Sequence, residues 1–273
     1  MDSKVKNLLL YSINILIGLI IIFPIIYAFS ISLMTQDEIF SFPPKLLPSS
    51  INLDNYKQAI SSVPIFRFIL NSFYISSLIT IGQMVTSCLA AYAFSYFEFK
   101  GKGILFVLCL STLMIPSEST IIANYLTIAK LGLTDTYTGL IIPFLASAMG
   151  IFLVRQFYLT IPKELKEAST LDGCSNFRFF IKVLLPISRP VISALGVYTF
   201  LSTWNQYMWP LLVTNAPEKR TVQIGISMLQ FAESQNIGLV FAGVIMIILP
   251  SIVIFIIGQK QLIKGITSGA VKG

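Results

Sequence analysis

Residues 8–33 read LLLYSINILIGLIIIFPIIYAFSISL, without a charged side chain from Leu8 to Leu33. A hydrocarbon core of about 30 Å takes roughly 20 helical residues, and in lipid an α-helix pairs all its backbone polar groups within itself. The run is therefore read as a membrane-spanning helix. Lys4 and Lys6 precede it, as basic residues precede a secretory leader. A leader's apolar segment has only about 7 to 15 residues, so this longer one is expected to stay as an anchor.

Five further stretches of the same kind follow at 68–97, 103–129, 136–154, 190–217 and 234–258, and Glu118 is the one charged residue in all six. Of the 273 residues 55% are hydrophobic and 11% charged, against about a quarter charged in a soluble domain. The chain is expected to be an all-α membrane protein with six transmembrane helices in a single domain over residues 1–273. No sizeable soluble domain fits between the spans.

Lys and Arg outnumber Asp and Glu by 19 to 12. Such an excess suits nucleic acid, but basic loops also orient multi-span proteins, and the hydropathy decides for the second; no nucleic-acid partner is expected. With six spans, Lys4, Lys6, Lys100, Lys102, Arg155, Lys163, Lys166, Arg178, Lys182, Arg189, Lys260, Lys264 and Lys272 fall on the side of the N-terminus, 13 of the 19. The positive-inside bias then puts both the N and C termini in the cytoplasm. Histidine is absent, and Cys88, Cys109 and Cys174 are too widely spaced for a metal or disulfide framework. Pro43, Pro44, Pro48 and Pro64 make the outer segment from Met34 to Arg67 an expected extended, capped loop. No internal repeat is visible, which weighs against inverted-repeat transporters.

The most elaborate polar segment joins spans four and five: TIPKELKEASTLDGCS, residues 160–175. It reads as a short helix. Thr160 can cap it, Pro162 suits a first turn, Glu164 and Glu167 favour the positive end of the helix dipole, and Gly173 supplies a left-handed exit. Leu165, Ala168 and Leu171 share a face. On these signals alone it could be an amphipathic connector lying on the bilayer.

A motif gives it another meaning. Glu167-Ala168-Ser169, then Gly173, then Val183-Leu184-Leu185-Pro186 resembles the EAA signature of ABC importer permeases, with Ser169 in place of the second alanine and Val183 in place of isoleucine. The block Leu171-Asp172-Gly173-Cys174-Ser175, the run from Thr203 to Leu212 (TWNQYMWPLL) and the tail from Gly265 to Gly273 are similar to the carbohydrate-uptake branch of that family, which includes the second maltose permease subunit and the glycerol 3-phosphate importer's permease.

The resemblance implies the type I ABC importer permease fold and a subunit that is not itself an enzyme. It implies a homologous permease chain, two ATP-binding subunits and an external solute-binding protein as partners. The absence of a GxxxxGK[ST] phosphate loop agrees, so ATP and Mg would sit on the ATPase subunit and this chain would bind no cofactor. Within the coupling loop, 160–186, the helix would seat in the ATPase. Glu164, Glu167, Ala168, Ser169, Asp172, Gly173 and Pro186 are then the ATPase-coupling candidates.

Glu118 is a candidate for the substrate pathway, because an intramembrane carboxylate is costly; alternatively Pro116 ends the helix and leaves Glu118 near outer water. Asn205 and Gln206 could bind sugar hydroxyls or hold helices together. Trp204 and Trp209 are expected in an outer aromatic belt. The spans offer no Lys or Arg for an anion, so a neutral sugar or oligosaccharide is the first expectation for the solute and glycerol 3-phosphate the second. A membrane-embedded enzyme, a channel and a secondary transporter are the rivals from other classes. Co-purification with an ATPase separates the transporters among them.

Overall fold

The computed structural model describes residues 3–232 and 236–268, with side chains described for 7–231 and 236–260. Every regular element among these is helical: α1 (Ser3–Ser32), α2 (Gln36–Ile39), α3 (Asp54–Ser62), α4 (Ile65–Tyr96), α5 (Lys102–Ser111), α6 (Ser117–Lys130), α7 (Tyr137–Ile141), α8 (Ala148–Tyr158), α9 (Glu164–Leu171), α10 (Asn176–Phe179), α11 (Leu185–Ile187), α12 (Arg189–Trp204), α13 (Met208–Val213), α14 (Val222–Ala232) and α15 (Ile237–Ser268). Residues 233–235, within or beside the expected sixth span, and the tail motif's residues 269–273 lie outside the described residues.

Three helices are long and apolar enough to cross a membrane alone: Asn7–Ser32, Ile65–Tyr96 and Ile237–Lys260. The other crossings are bent pairs, Lys102–Met114 with Ser117–Lys130 at 102°, Tyr137–Phe144 with Ala148–Tyr158 at 44°, and Asn176–Ile187 with Arg189–Trp204 at 75°. Counting each pair as one span gives six. Two of the three breaks have a local cause in proline. Pro116 caps α6 in a non-helical conformation, and Pro143 lies in the 3-10 turn after α7, where a missing N–H and a fixed φ interrupt the helix.

The chain divides into two compact units, one of residues up to Phe66 with Gly225–Leu249, the other of Arg67–Ile224 with the segment from Pro250. In the first, α3 meets the start of α15 at Gly238, where an added Cβ would stand 2.6 Å from Asn55 Nδ2. That amide donates to the carbonyls of Ser32 (3.0 Å) and Met34 (2.9 Å), tying α3 to the end of α1. The prolines do keep residues 40–53 out of helix, but α3 is a nine-residue helix in the segment expected to be extended. The loop is also folded on itself. Glu38 Oε2 accepts from the Thr35 N–H at 3.2 Å as half of a capping box, and Oε1 accepts from the Ser49 N–H at 2.9 Å and from Lys45 Nζ at 3.4 Å. These donors hold the Glu38 carboxyl down to about 2.

In the second unit two apolar clusters pack against α4, one around Ile79, Leu140 and Trp209 and one around Tyr92, Tyr158 and Phe179. At the Pro143 break the freed carbonyls are taken up by α4: Gln83 Nε2 donates to Phe144 O (2.8 Å) and Thr86 Oγ1 to Leu145 O (2.8 Å). Thr199 Oγ1 of α12 donates to Gln83 Oε1 at 3.1 Å, so one amide joins three elements. Side-chain rescue of a broken helix is what a chain without solvating water requires.

Candidate coupling loop and solute pathway

The loop between α8 and α12 is mounted from below and open above. Its base is the cluster of Tyr92, Tyr158, Ile161, Phe179, Phe180 and Leu184. Tyr92 OH donates to Asn176 O at 3.0 Å, and Lys166 Nζ donates to Asn176 Oδ1 at 2.6 Å while standing 4.8 Å over the Phe179 ring. These contacts fix both the helix α9 and the turn that follows it to α4.

Helix α9 starts three positions later than a cap at Thr160 would set it. Lys163 occupies the cap without a side-chain bond, and Thr160 Oγ1 instead donates back to Phe157 O at 2.8 Å, closing α8. The exit follows the sequence. Gly173 has φ +72, its N–H donates to Thr170 O (3.0 Å), and the Cys174 N–H donates to Ser169 O (2.9 Å). This pair of bonds is the Schellman arrangement, which needs a left-handed residue at that point. Ser175 then caps α10, accepting from the Arg178 N–H at 3.3 Å. Five residues, Phe180–Leu184, form a π turn before Pro186. Pro186 cannot donate to Lys182 O and its ring crowds that carbonyl, and a wider turn relieves both.

No residue of α9 is buried. Glu164, Glu167, Ala168, Asp172, Gly173 and Pro186 are exposed and Ser169 is half-buried, its hydroxyl donating to Lys166 O at 2.7 Å. Leu171 and Phe177 are 90% and 69% exposed. Sequence reading did not place these two among the coupling candidates, although the three-residue step to Leu171 put it on the same face as Leu165 and Ala168. The arrangement is an exposed acidic and apolar knob standing on a packed aromatic base.

The pathway candidates are not brought together. Glu118 lies exposed in the first turn of α6, just past the 102° break, with Oε1 accepting from Ser117 Oγ at 3.0 Å and no ion pair among the described residues. Asn205 follows the end of α12; its Nδ2 donates to Leu201 O (2.9 Å) and its Oδ1 accepts from Gln223 Nε2 (3.3 Å). Gln206 is half-buried beside it. Trp204 and Trp209 are 2% and 4% exposed and packed inside this chain. Trp204 stacks on Phe200, and Trp209 meets Phe144 edge-on at 5.7 Å. They are core residues rather than an aromatic belt, a correction whose physical reason is the turn at Asn205–Tyr207 that folds α13 back against α7.

Outside the spans, Asp135 shapes a polar cap. At φ +54, its carboxylate accepts from the Asn215 and Ala216 N–H groups, chiefly the latter lowering its pKa. Asn71 donates to the carbonyls of Glu218 and Arg220 (2.9 Å each) and accepts from Tyr137 OH at 2.8 Å. None of these residues was singled out from sequence, since only the fold brings positions so far apart together.

The chain matches the model of the family described as binding-protein-dependent transport system inner membrane component over residues 3–262, and it belongs to that family. It is 39% identical to the sn-glycerol-3-phosphate transport system permease protein UgpE of Brucella suis biovar 1 (strain 1330) over 97% of both chains. It is 38% identical to the protein of the same name from Rhizobium meliloti (strain 1021) over 96% of both. Its fold matches a chain of a bacterial ABC transporter involved in the import of the acidic polysaccharide alginate, with a TM-score of 0.83 and 23% identity over 95% of this chain and 98% of that one. A second match, at TM-score 0.62 and 16% identity, covers 94% and 93% and comes from a bacterial alginate ABC transporter in complex with an alginate pentasaccharide-bound periplasmic protein. The type I importer permease fold and an inner-membrane, non-enzymatic transport role are thereby established.

Proposed function

We propose that this chain is the permease half of an ABC importer and that α9 is its contact with an ATP-binding subunit. The observation that carries the reading is the mounting of α9: no residue of it is buried, and it is closed by Gly173 and clamped through Asn176, Lys166 and Tyr92. A helix held this way transmits a push to α4 instead of yielding to it. Its partners are a homologous permease chain, two ATP-binding subunits carrying ATP and Mg, and an external solute-binding protein. The loop and both termini face the cytoplasm, and Glu164, Glu167, Ala168, Ser169, Asp172, Gly173 and Pro186 form or position the contact.

For the solute, relatives named for sn-glycerol-3-phosphate transport, 36–40% identical over at least 92% of this chain, support a phosphorylated polyol of that class. The neutral sugar expected from sequence is the second reading, supported by the lack of Lys and Arg in the six apolar stretches. A dehydrated phosphate needs charge-assisted donors, and on the first reading the partner permease supplies them. The test is uptake of labelled glycerol 3-phosphate by vesicles holding the whole importer. Selective competition by unlabelled glycerol 3-phosphate supports the first reading; transport of neutral sugars with the phosphate inert replaces it with the second.

A further inference from the structure

Arg155 stands in the last turn of α8, shortly before the coupling loop. A basic residue at that point ordinarily faces the last carbonyls of its own helix. This one reaches away from them: its guanidinium carbon lies 4.1 Å from the centroid of the Phe106 ring on α5, and its Nε–H donates to Phe94 O of α4 at 3.4 Å. Resting on the reading of α9 as the contact with the ATP-binding subunit, we propose that Arg155 and Phe106 form the link that passes a movement of the coupling loop to α5.

The contact is internal. Arg155, Phe106 and Phe94 all belong to this chain and to one compact unit of it, so what Arg155 touches does not depend on how neighbouring subunits cover the surface. Phe94 O is one of the carbonyls that the end of α4 at Tyr96 leaves without an intrahelical partner. The Phe94 and Phe106 rings meet edge-on at 5.4 Å, so the arginine closes a junction of three helices.

The two helices it joins are fastened very differently. Helix α8 is rooted in the core through Gly150, Val154 and Tyr158, and Tyr158 belongs to the aromatic base of the coupling loop. The chain between them is bonded throughout: Leu159 N–H donates to Arg155 O (3.0 Å), Thr160 N–H to Phe157 O (3.0 Å) and Ile161 N–H to Tyr158 O (3.2 Å). A displacement of the loop therefore reaches Arg155 along a continuous backbone. Helix α5 buries no residue within the chain, so its place relative to α8 is set by surface contacts such as this one.

The chemistry suits a link that must hold in every state of the cycle. A guanidinium is planar and always charged, and it serves a ring face and a carbonyl at once, which the point charge of a lysine does not. What it holds is also placed to matter. Helix α5 leads into the sharpest break in the chain, where Lys102–Met114 meets Ser117–Lys130 at 102°. A shift of α5 with the loop thus reaches the most bent of the crossings.

The test uses the assembled importer in nanodiscs, with Cys88, Cys109 and Cys174 replaced by serine and a nitroxide pair placed through Leu108→Cys on α5 and Lys182→Cys after α9, both exposed positions. The expected result is a label distance that stays the same when ATP and vanadate are added, because loop and α5 move together. In Phe106→Leu and Arg155→Lys the same addition shifts or broadens the distance, and in Phe106→Tyr, which keeps the ring, it does not. A parent distance that changes with ATP overturns the link, and so does an unchanged distance in Phe106→Leu. A merely structural contact would lower the abundance of the variants and leave the distance unchanged, which overturns it too. If the cysteine-free chain does not assemble, the chain with its native cysteines decides through ATP hydrolysed per labelled glycerol 3-phosphate imported: a severalfold rise in Phe106→Leu and none in Phe106→Tyr supports the link, and equal ratios reject it. Glu167→Lys tests the underlying reading separately. Normal uptake and ATPase co-purification in that variant remove the α9 contact, whereas uncoupling there with Phe106→Leu unaffected removes the link alone.

Discussion

At the residue scale, Gly173 separates space from conformation. Nothing lies within 4 Å of where its Cβ would be, yet its φ is +72. Any loss on substitution therefore comes from backbone strain of about 1–3 kcal/mol for a side chain that resists the left-handed region. Gly173→Val is expected to lower uptake and binding-protein-stimulated ATPase activity with the chain still in the membrane, while Gly173→Asn, which tolerates that region, retains more of both. Equal activity of the two variants and the parent removes the argument.

Glu38 gives a pH prediction at the same scale. Its carboxyl is held near 2 against an ordinary 4.5, first by Ser49 and Thr35 and lastly by Lys45. A depressed carboxylate stabilises the fold above its unfolded pKa, and that contribution disappears as pH falls toward the folded one. The loop should thus keep its amide protection above pH 4.5 and lose it progressively between 4.5 and 2. Glu38→Gln should show weakened protection already at neutral pH. Hydrogen exchange at the Ser49 amide reads both.

At the element scale, α9 and the broken helices make separate claims. Reversing the charge with Glu167→Lys leaves α9 intact, because no residue in that helix is buried. It should uncouple ATPase activity from uptake, or loosen co-purification of the ATPase subunit, without lowering membrane abundance. Normal uptake together with normal co-purification would sink the coupling assignment. Gln83→Leu acts differently. It leaves Phe144 O without its amide donor and Thr199 Oγ1 without its acceptor. Interhelical bonds of this kind contribute about 1 kcal/mol in membranes. A lowered melting temperature of the purified complex is expected, with solute selectivity unchanged.

At the scale of the whole molecule, orientation remains the claim most open to a single measurement. Of the cysteines, Cys88 is buried and Cys109 and Cys174 partly exposed, so Cys174 reports on the coupling loop once the other two are removed. A membrane-impermeant thiol reagent added outside intact cells should leave it unlabelled. Labelling from outside would reverse the topology and with it the site proposed for α9.

The sequence by itself determined the solvent of this chain, the six apolar stretches, the short helix in the polar loop after the fourth of them and the left-handed exit at Gly173, because these rest on local composition, helical period and backbone sterics. A run without charge commits a segment to lipid whatever surrounds it, and a glycine after a helix reports its own φ. Tertiary structure alone decided where the spans bend, that α3 is helical within a proline-rich loop, that Trp204 and Trp209 are core residues, and that Gln83, Asn71 and Asp135 take up distant backbone groups. Those outcomes depend on which carbonyls a break exposes and which side chain stands within 3 Å or so of them. Such pairings join positions as far apart as Asn71 and Arg220, 149 residues, or Ser72 and Val222, 150 residues, and no periodicity in a chain records a partner at that distance.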